Sequence, residues 1–200
     1  MEPHMAKIAI VYHSGYGHTA KVAEHVATGI RGVEGIELSV LKADDLADPE
    51  NGPWDTLHAA DAIIFGAPTY MGSASGVMKQ FMDATSKAWM EMKWKDKIAA
   101  GFTNSGSLSG DKVVTLQQFA TLAAQQGMIW VGTGMMPGYN MKGSDFETAQ
   151  NRAGFAIGLG TQALVDASPE ESPDTADLET AEAFGERVAL ATKRWVAGKA

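Results

Sequence analysis

Cysteine is absent from the chain, and with it go disulfides, thiolate chemistry and any Cys-ligated metal. Nothing therefore points to an oxidising, secreted compartment, and a cytoplasmic setting is the expectation. Long apolar runs are missing too. No stretch approaches the roughly 20 residues a membrane span requires, so membrane insertion is not expected, and the start lacks the charged-then-apolar pattern of a signal peptide. Positive charge is scarce: 16 Lys and Arg against 24 Asp and Glu leave a net charge of −8. No basic stripe is left to neutralise a phosphate backbone, which excludes nucleic acid as an expected partner. His13, His25 and His58 lack metal-ligand spacing with one another or with a carboxylate cluster, so no metal site is expected.

What remains is a chain of 200 residues, 45% hydrophobic, long enough to bury one full core and too short for two comfortable domains. Met1-Glu2-Pro3-His4 reads as a cloning remnant ahead of a natural start at Met5, leaving residues 5–200 as a single domain. Short apolar runs at Ile8–Tyr12, Ile36–Leu41, Ala62–Phe65, Ile98–Thr103 and Met128–Val131 read as strands. Helical spacing recurs between and after them. It is carried by Val22, Val26, Ile30 and Val33, by Val77, Met78, Phe81, Met82 and Thr85, by Val113, Leu116, Phe119 and Leu122, and by Phe184, Val188, Ala191 and Trp195. Such alternation predicts a parallel α/β sheet of five strands, covered by five helices on its two faces. Ser172-Pro173-Asp174 reads as a turn ahead of the last helix. The glycine-rich segment from Gly132 to Asp174 is too long for an idle connection and is expected to carry function or assembly contacts. Its acidic stretch Pro169–Asp174 reads as a solvated loop without a site role.

Three loops carry the chemistry. The first strand runs into Ser14-Gly15-Tyr16-Gly17-His18-Thr19 and then a helix, so a phosphate would meet backbone N–H groups and two hydroxyls at the positive end of a helix dipole. The loop has no Lys or Arg. That favours a terminal monophosphate held by neutral donors, and the missing Gly-Lys-Ser/Thr ending argues against a nucleoside triphosphatase. The same letters fit a dinucleotide fingerprint, Gly15-Tyr16-Gly17-His18-Thr19-Ala20, with Asp44 about 25 residues further on. They also fit a plain tight turn. A second loop, Gly66-Ala67-Pro68-Thr69-Tyr70-Met71-Gly72-Ser73, suits a flat ring: Pro68 stiffens it, Thr69 offers a hydroxyl and an N–H, Tyr70 and Met71 offer apolar surface, and Gly72 permits close backbone approach. A third, Asn104-Ser105-Gly106-Ser107-Leu108-Ser109-Gly110, is rich in small donors. All three would follow strands whose carboxyl ends share one edge, where open parallel sheets bind ligands.

These residues together resemble the flavodoxin-like NAD(P)H:quinone oxidoreductases of the WrbA (tryptophan-repressor-binding-protein) type. The likeness runs from about Lys7 to Val131, carried by Tyr12–His18, Ile64–Gly72, Ser75–Thr85 and Leu122–Met128. It implies a three-layer flavodoxin-like fold with strand order 2-1-3-4-5 and FMN as cofactor. The phosphate would lie on Ser14, Gly15, Tyr16, Gly17, His18 and Thr19. The flavin ring would lie on Pro68, Thr69, Tyr70, Met71 and Gly72 and on Asn104, Ser105, Gly106, Ser107, Leu108 and Ser109. Tyr16 would line the nicotinamide side and Trp89 the substrate side. The implied reaction passes a hydride from NAD(P)H to the flavin and then two electrons to a quinone or similar flat acceptor. Because the flavin carries that chemistry, no side chain is expected to be catalytic.

The resemblance and the apolar Trp89–Trp94 stretch together imply a homo-oligomer, dimer or tetramer. The chain departs from the family where Tyr70-Met71 replaces an Arg-Phe pair, where Ser107–Asp111 replaces a glycine-rich run, and where Gln125 replaces a histidine. An electron-carrier flavodoxin, which binds FMN without oxidising NAD(P)H itself, is the alternative. Against it stand the modest −8 charge and the Trp/Met stretch.

Overall fold

The computed structural model describes residues 5–198, and the expected remnant Met1–His4 lies outside them. The elements follow in order as β1 (Ala6–Tyr12), α1 (His18–Arg31), β2 (Ile36–Lys42), a 3-10 turn (Ala43–Leu46), α2 (Trp54–Ala59), β3 (Ala62–Tyr70) and β4 (Ser73–Ala74). After these come α3 (Gly76–Ala84), α4 (Ser86–Met90), β5 (Ile98–Ser105), α5 (Lys112–Gln125), β6 (Ile129–Trp130), β7 (Leu159–Gln162) and α6 (Thr175–Ala197). The main sheet is parallel with order β2-β1-β3-β5-β6. Counting its five principal strands in chain order, this is the expected 2-1-3-4-5 arrangement.

The central strands are covered on both faces and are buried along nearly their whole length, as their continuous apolar runs predict. Alternate residues serve opposite faces. Ile8, Ile10 and Ile64 pack with Val22, Val26, Ile30, Phe184 and Val188 beneath α1 and α6. Ala9, Val11, Ile63 and Phe65 pack with Phe81, Trp94 and Phe119 on the other side. Each large side chain removed from water in these layers contributes about 1.5–3 kcal/mol. Helices α1 and α6 touch almost backbone to backbone. A Cβ at Gly29 would lie 1.9 Å from the Glu182 carbonyl oxygen and one at Gly185 would lie 2.1 Å from that of Val26, so only glycine fits at either position.

Two expectations need correction. The fifth strand was expected over Met128–Val131, but the fifth sheet position is assembled from two pieces. β6 pairs only Ile129 and Trp130 with Ile98 and Ala99, and after a long excursion β7 pairs Leu159–Gln162 with Phe102–Ser105. Leu-Gly-Thr-Gln is too short and too weakly apolar to announce itself as a strand. The helices also differ in detail: α2 and α4 are short, α1 stops before Val33, and Val113 is exposed although it sits at helical spacing with the buried Leu116 and Phe119.

The excursion is anchored by buried charge. Arg152 donates to Asp177 at 2.9 Å and to Asp174 at 2.8 Å, while its guanidinium lies 4.4 Å from the centre of the Phe146 ring. Asp177 also accepts from the Gln162 N–H at 2.7 Å, so one carboxylate ties the excursion and β7 to α6. The stretch Pro169–Asp174 is therefore more than a solvated loop. Ser172 is buried and accepts from the Leu164 N–H, and Asp174, at the N-cap position of α6, turns its side chain to Arg152 while its carbonyl accepts from the Asp177 and Leu178 N–H groups.

Candidate functional site

β1, β3 and β5 end at one edge of the sheet, and the loops that follow them meet there. They enclose a cavity of about 670 Å³, lined by Tyr16, His18, Thr19, Pro68, Thr69, Tyr70, Asn104, Ser105 and Gly106 from the three expected loops. The fourth wall was not foreseen. It consists of Ala163, Leu164, Val165, Ala167 and Pro169, from the chain just after β7. Only the unreadable β7 could have signalled it.

The first loop is built around Ser14. Its Oγ accepts from the N–H groups of Gly17 and Ala20, both at 3.1 Å, and so caps the start of α1 while its own proton stays available to donate. Gly17, at φ 93°, takes a left-handed turn that most residues resist, and a Cβ there would lie 2.6 Å from Pro169 Cγ. His18 was weighed as a phosphate partner. It instead donates from Nε2 to the Ala167 carbonyl at 2.9 Å, latching the fourth wall to the first loop. The wall beside it is formed by His18 and Thr19 at the very start of α1, the next two N–H groups being taken by Ser14 and by the Gly17 carbonyl.

The second loop is a continuation of β3. Pro68 pairs in register with Asn104 rather than forming a turn, and the strand runs to Tyr70 before the Met71-Gly72 hairpin leads into β4. Both hairpin residues have positive φ, 48° and 85°. Gly72 is needed for that geometry and not for close approach, since a Cβ there would meet nothing nearer than Asp111 at 3.9 Å. Met71 is fully exposed in this strained conformation, so its side chain does not reach the cavity. The Thr69 hydroxyl is turned inward, 2.8 Å from each of the Thr103 and Thr115 hydroxyls, two buried positions that the sequence did not single out. Tyr70 crosses the cavity mouth edge-to-face with Tyr16, ring centres 6.2 Å apart, and takes a hydrogen bond from the Gly15 N–H. Burial, with Tyr16 beside it, pushes the Tyr70 phenol above its ordinary pKa, so the hydroxyl stays protonated.

The third loop is held from behind. Lys112, fully buried at the start of α5, points its ammonium at the carbonyls of Ser105 and Leu108, at 3.5 and 3.3 Å, and also at that of Ser107. From the other side the Ala163 N–H donates to the Ser105 carbonyl and the Gln162 side chain to that of Gly106. Asn104, Ser105 and Gly106 line the cavity, whereas Ser107, Leu108 and Ser109 lie beyond its lining in the exposed part of the loop.

Trp89 is not brought to the cavity. It is half exposed on α4 and borders a separate shallow groove with Met82, Leu122 and Gln126. Trp94 of the same stretch is core, and its indole donates to His58. The other histidines have structural partners: His13 bonds Ser75 at 2.8 Å and His25 meets Glu182 at 2.7 Å. Among the described residues no three His, Asp or Glu gather as a metal site would need. Asp44 does not line the cavity, so the dinucleotide reading loses the acidic residue it requires.

Comparison with known proteins agrees with this architecture. The family model described as NADPH-dependent FMN reductase matches residues 7–139. A protein named Flavodoxin FldP from Pseudomonas aeruginosa is 42% identical over 92% of this chain and 96% of its own. An NAD(P)H dehydrogenase (quinone) from Geotalea uraniireducens is 33% identical over 94% of this chain and 98% of its own. The crystal structure of a WrbA-like flavodoxin from Agrobacterium tumefaciens superposes with a TM-score of 0.71 at 39% identity, covering 94% of this chain and 98% of that one. The chain belongs to the NADPH-dependent FMN reductase family, in its WrbA-type, flavodoxin-like branch.

Burial lowers the Lys112 pKa from 10.5 to about 8, with Asp177 acting in the opposite direction. Between pH 8 and 10.5 the unfolded chain therefore binds more protons than the folded one at this residue, and its contribution to stability rises with pH, by up to about 3 kcal/mol. Urea unfolding at pH 7 and pH 10 checks this: the native chain should gain on a Lys112→Met variant over that interval. An unchanged difference would place the lysine in a wetter setting.

Proposed function

We propose that this chain binds FMN in the cavity and works as an NAD(P)H-dependent oxidoreductase that delivers two electrons to a quinone-type acceptor. The observation that carries the proposal is the convergence of a neutral, serine-capped phosphate loop with two ring-flanking loops on one cavity at the carboxyl edge of the sheet. The residues suit a mononucleotide. The volume lies within the range usual for small-molecule sites, and the phosphate end offers N–H and hydroxyl donors without a cationic side chain.

Bound FMN would supply the two-electron chemistry. The protein's share is placement. Ser14, Thr19 and the start of α1 would hold the phosphate, while Thr69, Tyr70 and Asn104–Gly106 would flank the ring. Leu164 and Val165, both exposed, would cover the ring on the fourth wall, and Tyr16 with Tyr70 would edge the mouth where flat substrates enter. Of the third loop, Gly106 lines the cavity and would offer its backbone N–H toward negative charge developing on the ring. The electron-carrier reading has support from the 42% identical relative named a flavodoxin. Against it stand the open aromatic mouth and the kinship with proteins named NAD(P)H dehydrogenase (quinone).

The deciding experiment adds NADPH, then NADH, to the FMN-loaded protein without oxygen and follows the flavin absorption band. Fast bleaching that benzoquinone reverses is expected. Flavin that stays oxidised with both nucleotides would select the carrier reading. For the site itself, Ser14→Ala combined with Thr19→Val should weaken FMN binding by about 2–4 kcal/mol. An unchanged dissociation constant would move the phosphate elsewhere.

We further propose that the chain acts in the cytoplasm and as a homo-oligomer. The exposed Trp89, Met90 and Met92 leave an apolar surface suited to a second copy, which would also give Trp89 a route to a neighbouring cavity. Light scattering at micromolar concentration should give a mass above 21.2 kDa, and a stable monomer would overturn this.

A further inference from the structure

We propose that Lys112, which does not reach the cavity, provides the fixed positive charge that favours the reduced, more negative form of the FMN bound there. This rests on the assignment of FMN to the cavity made above. The ammonium donates to the carbonyls of Ser105, Ser107 and Leu108, and Ser105 and Gly106 are themselves cavity lining, so the charge sits one layer of peptide behind the wall.

In a trans peptide the N–H points opposite to the C=O. Turning the Ser107 and Leu108 carbonyls toward Lys112 therefore turns the N–H groups of Leu108 and Ser109 away from it, while the Ser105 carbonyl is shared between the Ala163 N–H at 3.1 Å and the ammonium at 3.5 Å.

That charge is not cancelled locally. Among the described residues no carboxylate lies within ion-pair distance of the Lys112 ammonium. Asp177, the carboxylate that acts on it electrostatically, is already engaged by Arg152 and the Gln162 N–H. The cavity lining itself contains no Lys, Arg, Asp or Glu, so a charge behind the wall is not masked by one in it. Shaping the loop does not require a cation either, because a neutral amide of similar length can donate to the same carbonyls. A fully buried lysine carries a desolvation cost that a neutral donor would avoid.

The test measures dissociation constants for oxidised and for reduced FMN at pH 7, without oxygen, in the native chain and in Lys112→Gln, Lys112→Met and Lys112→Arg. Lys112→Gln keeps a donor and removes the charge, and it carries the comparison if Lys112→Met does not fold. Both neutral variants should lose about tenfold more affinity for reduced than for oxidised FMN, equivalent to a two-electron midpoint potential about 30 mV more negative. Lys112→Arg should keep the native ratio. If Lys112→Gln binds both forms in the native ratio, the lysine only shapes the loop and the inference falls. If the native chain does not bind oxidised FMN, the functional assignment falls and takes this inference with it.

Discussion

The site depends on the registry of three parallel strands. Tyr12 of β1 pairs with Gly66 of β3, and Gly66 pairs with Phe102 of β5, so the three strands climb in step to one edge. Beyond that level β3 continues in register with β5 as far as Pro68 opposite Asn104. The second and third loops are thereby carried forward of the first, leaving a step in which the cavity lies. Because a one-residue slip of a strand buried on both faces would swap its side chains between two differently packed layers, the hydrophobic layers that stabilise the fold also set the position of the first loop.

The fourth wall is held by a different kind of force. Its residues lie after β7, whose apolar content is too small to fix it by burial alone. Polar bonds do that work: Ala163 to the Ser105 carbonyl, Leu164 to Ser172, Ala167 to His18, and Gln162 to Asp177. The Arg152 pairs with Asp177 and Asp174 tether the excursion that delivers β7 to the sheet. A wall fixed by directional bonds adapts to the shape of its ligand less freely than an oily one. Its latch to the first loop through His18 also links ring-side and phosphate-side geometry.

Most of the layered fold was legible because its strands are long apolar runs and its principal helices keep strict spacing. The nine cavity residues from the first three loops were legible for a related reason, since small residues and hydroxyls directly after a buried strand mark the edge where ligands bind. What stayed hidden was long-range pairing. Nothing in Leu159–Gln162 says that it completes β5, and so nothing local marks Leu164, Val165 or Pro169 as lining. Buried polar residues were hidden as well. Lys112 reads as a solvated first-turn lysine and Arg152 as a loop cation until their partners, distant in sequence or turned back on the loop, are seen. Met71 misled in the other direction: its apolar side chain suggested a ring contact, but the tight hairpin that joins β3 to β4 turns it outward.

On the proposed function, the cavity would separate the tasks of binding and of charge stabilisation. Its first-loop end offers neutral donors and a helix terminus, which would hold an anion without placing a mobile cation beside the ring. The buried Lys112 is kept behind the wall, occupied with carbonyls of the third loop. A charge fixed by its surroundings needs no reorganisation when a ligand in front of it gains electrons, whereas a flexible surface lysine would have to be drawn in and dehydrated. On the inference drawn above, the fixed surroundings of Lys112 would make its charge effective, and they are set in part by the hydrogen bonds that Ala163 and Gln162 make to the same loop.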